Sequence, residues 1–318
     1  MGKYVIRRFF ELLLALFLIA TATFFLTAAA PGDPLLARTM ALPEASRDAL
    51  YAKYGFDKPL MQRYVITMLN MLKGDFGESV VYEGQTLISI LKDKLPVSAR
   101  LGLQQMLFGV TVGLLLGVIA AVKRDTWIDR VVVLLAVLLM SVPELVMGLM
   151  LQKFFAGTLG WFPVIGWPSG DDLWFGGWNY TVLPTLAGGL TYIATYSRLL
   201  KTSILDVLDQ DYILTARSKG LSEPRIVWSH IIRNSFIPII TRLPVTVAMC
   251  ITGSFMIEKI FSIPGIAAYY ISAVTANDLS IVLGETVILA AIFIVVIFLT
   301  DILYTVVDPR IRLQGGKR

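Results

Sequence analysis

The chain has one cysteine, Cys250, one histidine, His230, and few charges: 16% of its 318 residues are Asp, Glu, Lys or Arg. A lone cysteine inside an apolar run excludes an intrachain disulfide framework and a cysteine-rich metal site, and a lone histidine excludes a histidine-cluster metal centre. The low charge, beside 56% apolar residues and a mean hydropathy of +0.71, departs from soluble domains, which are about 25% charged. No G-x-x-x-x-G-K-[ST] loop occurs, and Gly315-Gly316-Lys317 lacks both the spacing and the following helix of a phosphate-binding loop. No H-E-x-x-H, G-x-S-x-G or C-x-x-C is present either, so the sequence offers no nucleophile with a base partner. The expectation is a chain that is not an enzyme, holds no metal and binds no cofactor of its own.

What is abundant is long apolar runs. Six segments, 9–30, 101–122, 131–155, 181–200, 237–257 and 283–307, each approach or exceed the ~20 residues that cross a bilayer as a helix. Strands of a transmembrane barrel alternate every second residue, so these runs exclude one. The fourth segment carries Pro184, Gly188, Gly189 and several hydroxyls, a composition for burial among other helices rather than for lipid. Lys3, Arg7 and Arg8 precede the first run, and Ala28-Ala29-Ala30 resembles a signal-peptide cleavage site. That run is longer than the 7–15 residues of a signal core and Pro31 would follow the cut, so it is read as a retained span.

Basic residues set the orientation. With the N-terminus in the cytoplasm, seventeen Lys and Arg fall inside and three (Arg100, Lys153 and Lys259) outside, apart from the long 31–97 loop, which carries little weight. Both termini are therefore expected to be cytoplasmic. The 31–97 segment has eight basic and eight acidic residues, a neutral mixed surface suited to water or a protein partner. Pro59 opens a helical pattern there with Met61, Val65, Met68 and Leu72 on one face, stopped by Gly74. Such a helix either lies on the outer leaflet or caps the bundle. The basic excess of +5 collects in short loops rather than on one face, so no nucleic-acid partner is expected.

Ionisable residues inside spans are the default functional candidates. They are Glu11, Glu144, Arg242, Glu285 and Asp301. All but Glu144 lie near helix ends, where snorkelling or a headgroup contact competes with a pathway role. Glu144 is deeper and follows Ser141-Val142-Pro143, where a proline frees a backbone carbonyl. It lines a cavity or pairs with another subunit.

The most informative stretch lies between the fourth and fifth spans, 211–238. A helix carrying Ala216, Arg217 and Lys219 stops at Gly220, and Ser222 caps a second helix with Glu223 and Pro224 in its first turn. Two short helices meeting at a glycine make a protruding knob, a shape for docking rather than a merely solvated loop. The stretch resembles the E-A-A…G loop of ABC-importer permeases, in the form D-Y-x-x-T-A-R-A-K-G-L found in oligopeptide, dipeptide and nickel importers. Asp211, Tyr212, Thr215, Ala216, Arg217, Lys219, Gly220 and Leu221 match; Ser218 stands for the usual Ala, and Leu214 takes the place of the acidic residue. Arg7-Arg8, Pro31-Gly32-Asp33-Pro34, the 54–60 and 74–77 stretches, His230, Arg233-Asn234-Ser235, Ile237-Pro238, Gly253-Ser254-Phe255, 257–261, Pro264-Gly265 and Asp308-Pro309-Arg310 continue the likeness. Ala267, Ser280 and Glu144 depart from it.

The resemblance implies an all-α polytopic membrane protein with six transmembrane helices in the type I ABC-importer permease fold. It divides the chain into a cytoplasmic N-terminus and first helix (1–30), an extracytoplasmic helical segment (31–97) and a five-helix core (98–318) with an ATPase-docking loop at 201–236. It implies coupling through Asp211, Tyr212, Thr215, Ala216, Arg217, Lys219, Gly220, Leu221, Pro224, His230, Arg233 and Asn234. The expected partners are a second homologous permease, two ATPase subunits that hold ATP and Mg, an extracytoplasmic solute-binding protein and membrane lipid. The expected role is half of the pathway of a peptide importer of Gram-positive type, in the cytoplasmic membrane. Nickel or heme is the alternative cargo within the family, and an ion-coupled secondary transporter using Glu144, Glu285 or Asp301, or a non-transporting receptor built on 31–97, is the alternative outside it.

Overall fold

The computed structural model describes residues 2–307 except Ala41, Ser169, Thr252 and Gly253, and describes no side chain from 301 onward. In chain order the helices are α1 (Gly2–Ala29), α2 (Leu36–Thr39), α3 (Glu44–Lys53), α4 (Leu60–Leu72), α5 (Leu87–Val122), α6 (Trp127–Ser141), α7 (Glu144–Leu151), α8 (Trp178–Leu208), α9 (Asp211–Ser218), α10 (Glu223–Ile226), α11 (Arg233–Ser235), α12 (Ile237–Ile251), α13 (Phe255–Ile260), α14 (Ile266–Thr275) and α15 (Leu279–Val307). Wide π-type turns, Gln152–Thr158 and Val227–Ile232, follow α7 and α10. Among the described residues the only β pairing is an isolated bridge between Glu78 and Thr86.

Four stretches are each long and apolar enough to cross a membrane: Val5–Ala29, Leu87–Val122, Ile237–Ile260 and Leu279–Thr300. The third expected span, 131–155, is broken rather than continuous. Trp127–Ser141 and Glu144–Thr158 meet at a bend of 102°, because Val142 is extended and Pro143, just before α7, has no N–H to continue the ladder. The fourth span belongs to the 31-residue α8, long enough to cross but rich in glycine and hydroxyls, with Leu183, Ala187, Gly188, Gly189, Ile193, Tyr196 and Leu200 buried. The packing expected of it is what the structure has.

The chain forms two compact units, 1–96 with 265–318, and 97–264. This differs from the division expected from sequence, which kept 265–318 with the core. In the first unit α15 lies along α1, with Ala20, Phe24, Leu283 and Val287 between them. The α14–α15 turn also holds the loop after α4: the fully buried Asp278 accepts hydrogen bonds from Ser79 Oγ (2.6 Å) and from the backbone N–H groups of Val80 (2.9 Å) and Val81 (3.1 Å).

Helix α4 starts after Pro59 and ends before Gly74, whose φ of +78° favours glycine. Of the face read from the sequence, Met68 packs inward and Met61, Val65 and Leu72 do not. Tyr64, Met68 and Met71 turn inward, Tyr64 stacking on Phe25 and bonding Thr21, whereas Met61, Val65, Leu69 and Leu72 point outward. The apolar pattern covers both sides of the helix, so periodicity alone does not select the buried one.

In the second unit α5 and α8 touch through glycines. A Cβ on Gly109 would sit 2.5 Å from the Gly189 carbonyl oxygen, one on Gly113 2.9 Å from Ile193 O, and one on Gly117 2.8 Å from Ser197 O. Four-residue spacing puts these three glycines in one row, so the two backbones approach closely. Gln105 adds a polar tie, donating to the Pro184 carbonyl at 3.1 Å. At one end of this pair, Tyr196 and Leu200 of α8 and Ala121 of α5 join the core that carries α9 and α10.

Candidate coupling site

The knob is built as its sequence suggests, with one difference. Helix α9 ends at Ser218 and Gly220 turns the chain at φ +74°. A Cβ there would meet nothing within 4 Å, so glycine serves the turn rather than a tight contact. Ser222 occupies the N-cap position of α10 with extended backbone, and Pro224 is in the first turn, but the Ser222 side chain makes no capping hydrogen bond. The Glu223 carboxylate instead takes the Arg217 Nε–H across the turn at 3.1 Å, on the exposed side.

Three apolar side chains anchor the knob: Ile213 and Ala216 of α9 and Ile226 of α10 are buried with Leu200 and Ile204 of α8, and Leu221 packs against them. Asp211, Thr215, Arg217, Lys219 and Pro224 stay exposed. Tyr212, His230 and Asn234 come together although they are up to 22 residues apart: Asn234 Nδ2 donates to Tyr212 Oη at 3.0 Å and to the His230 carbonyl at 2.8 Å, and the Tyr212 and His230 rings lie 6.4 Å apart. Arg233 is exposed beside them. The arrangement is a rigid hairpin with a polar, partly basic outer surface.

Sequence reasoning passed over Trp228. It is 71% exposed on the π turn after α10, and with the exposed Leu214 it gives the knob an apolar component. An exposed tryptophan in a docking loop is the available signal, since tryptophan is enriched where surfaces meet a partner. Below the knob, Lys201 of α8 forms an ion pair with the buried Asp129 of α6. Arg100 was also misplaced as a loop residue. It is 2% exposed within α5, its guanidinium donating to the carbonyls of Asp172 (2.7 Å), Leu173 and Gly176 (2.6 Å) and lying 5.4 Å from the Trp167 ring.

Glu144 opens α7 beyond the break and accepts a hydrogen bond from Ser254 Oγ at 2.9 Å, half-buried within its own chain. Arg242 is exposed on α12, and among the described residues no ion pair joins it to Glu144. Glu285 is fully buried, so of the two readings open to it snorkelling does not apply: it lies six residues into α15, inside the first unit's packing. Glu11 does pair near a helix end, with Arg7 at 2.8 Å. Asp301, by its side chain, and Asp308-Pro309-Arg310 lie outside the described residues. Among the described residues no three His, Cys, Asp or Glu side chains gather as a metal would require.

Long apolar helices and an anchored helix–glycine–helix knob are features of a membrane protein; the class, a transport permease subunit rather than an enzyme, comes from its relatives. The chain belongs to the family described as binding-protein-dependent transport system inner membrane component, which it matches over residues 113–313, with that family's N-terminal part matched over 1–102. It is therefore a multi-pass protein of the cytoplasmic membrane with the type I permease fold. It is 39% identical over 313 residues, 98% of this chain and 100% of the relative, to the dipeptide transport system permease protein DppB of Lactococcus lactis. The Bacillus subtilis protein of that name is 37% identical over 99% of both chains. The oligopeptide transport system permease protein OppB of Haemophilus influenzae is 33% identical over 98% of this chain and 100% of its own length.

Proposed function

We propose that this chain is one of two different permease subunits of an ATP-driven, binding-protein-dependent importer of dipeptides or oligopeptides. A solute-binding protein delivers peptide at the 31–97 side. Two ATPase subunits, which hold ATP and Mg, grip the knob of α9 and α10 from the cytoplasm, so both termini and the 211–238 stretch are cytoplasmic. The observation that carries the reading is the knob itself: buried Ile213, Ala216 and Ile226 make it move as one body with the end of α8, which is what passing on a rigid-body motion requires. Asp211, Tyr212, Thr215, Arg217, Lys219, Pro224, His230, Arg233 and Asn234 form or brace its outer surface, and Gly220 sets the turn. The named substrates of the relatives favour peptide over nickel or heme, and the family favours ATP over an ion gradient.

The test is ATPase activity of the complex co-expressed with its neighbouring subunits, in lipid nanodiscs, with and without binding protein loaded with a mixed peptide pool. Stimulation by the loaded protein that disappears in Gly220→Asp, with the variant still assembled, is the expected result. If no ATPase co-purifies and uptake follows a proton gradient, the proposal fails.

A further inference from the structure

In the first unit, two cavities of about 400 and 270 Å³ are separated by a wall formed by Phe56, Arg63 and Leu279, each of which lines both. Arg63 is the unusual member. Its guanidinium is half-buried, lies 4.3 Å from the Phe56 ring centroid and, among the described residues, has neither an ion pair nor a hydrogen-bond partner. Burial lowers its pKa from the ordinary value, and an arginine side chain stays charged in a protein. None of the carboxylates that share these cavities pairs with it. Glu78 holds Lys53 at 2.8 Å, Asp33 accepts from Leu35 N and the Tyr51 hydroxyl, and Asp75 accepts from Gly77 N. The site therefore has a partly desolvated cation with no ion-pair partner and room beside it, and Arg presents a fork that fits a phosphate.

Its depth identifies the source of that phosphate. The neighbouring residue, Tyr64, bonds Thr21, eight residues before the end of α1, or about 12 Å along the helix axis. The smaller cavity is lined by Thr27, Ala28 and Ala30, where the α1 span ends, and by Leu279, where the α15 span begins. Arg63 thus stands where two membrane-crossing helices reach the headgroup layer. The outward row of Met61, Val65, Leu69 and Leu72 on the same helix suits acyl chains, not water. We propose that Arg63, backed by Phe56, binds the phosphodiester headgroup of a phospholipid in the outer leaflet, so that α4 is held in place by a lipid as well as by protein.

The complex, purified with its partner subunits and stripped of lipid in detergent, is titrated with phosphatidylglycerol and followed by native mass spectrometry. Diacylglycerol with the same chains and free glycerol phosphate are the comparison ligands. Wild type is expected to retain one tightly bound phospholipid on this chain. Arg63→Gln is expected to weaken it by about ten- to a hundredfold, the worth of hydrogen bonds to a charged group, and Arg63→Lys to recover part. Leu279→Trp, which fills the cavity wall and leaves the charge, is expected to expel the lipid too, and it carries the test if Arg63→Gln does not assemble. Equal retention in Arg63→Gln or in Leu279→Trp overturns the proposal. So does equal binding of diacylglycerol, and displacement of the lipid by glycerol phosphate alone would assign the site to a soluble phosphoester instead.

Discussion

Replacing Gly109 by alanine sets two effects of opposite sign against each other. In an isolated helix the change would stabilise by about 1 kcal/mol, since alanine is the better helix former. Against α8 it cannot be accommodated in place: the new methyl would lie 2.5 Å from Gly189 O and 2.6 Å from Tyr192 Cβ, where ordinary contact begins at 3.4 Å. Backbone oxygen does not swing aside, so the helices must part locally by roughly 0.9 Å, the difference between those distances, enough to forfeit a quarter to a half of the dispersion attraction of the atoms along the seam. Overpacking of this kind costs about 1–3 kcal/mol, more than the helix gains. Gly117→Ala and Gly113→Ala start from 2.8 and 2.9 Å and need smaller shifts, so the expected order of damage is Gly109, Gly117, Gly113. Gly157→Ala, with its nearest neighbour at 3.9 Å, is the control and should be neutral. The assay is thermal unfolding of the purified complex, followed by peptide-stimulated ATPase activity, because the same seam supports Tyr196 and Leu200 beneath the knob. A Gly109→Ala complex as stable as the Gly157→Ala control would refute the close-packed seam.

Three further outcomes follow from single contacts. Asp278→Ala strips the acceptor from the Ser79 hydroxyl and from two backbone N–H groups, and each lost bond to a buried charge is worth about 1.5–3 kcal/mol; limited proteolysis should newly cut within 78–86, and unchanged resistance would count against the clamp. Asn234→Ala removes the link between Tyr212 and the His230 carbonyl and should loosen the knob by about 1 kcal/mol, read as a shift in Trp228 fluorescence and in coupling while the complex still assembles; identical spectra would exclude it. Arg100→Met leaves three carbonyls without their donor, so amide exchange in 170–177 should accelerate, whereas exchange at the wild-type rate would show that the turn holds itself.

The spans were legible because apolar length is a property of the sequence alone. The knob was legible because Gly220, Ser222 and Pro224 are local punctuation. What escaped depends on long-range geometry. The 102° break needs Val142 extended as well as Pro143 present, and a proline in a span is equally compatible with a continuous helix, as Pro96 within α5 and Pro184 within α8 show. Arg100 sits one residue before an apolar run, where hydropathy assigns it to a loop; only the carbonyls of a turn more than seventy residues away reveal that it is buried. Which face of α4 is buried stayed open because Tyr64, the residue that docks it, is less apolar than the Met61 and Val65 near it. The triad of Tyr212, His230 and Asn234 could be grouped by family likeness but not joined by spacing.

The clamp at Asp278 grips the loop after α4 mainly through main-chain N–H groups, and the one side chain it takes is Ser79. Such a grasp does not read the identities of residues 80 and 81. Substitution can therefore be wide at the exposed Val81, so long as it does not become proline, which would delete a donor, whereas Val80 is buried and its side chain is fixed by packing. A loop held by its backbone can change the one exposed side chain at its tip, that of Val81, without renegotiating how it is fastened.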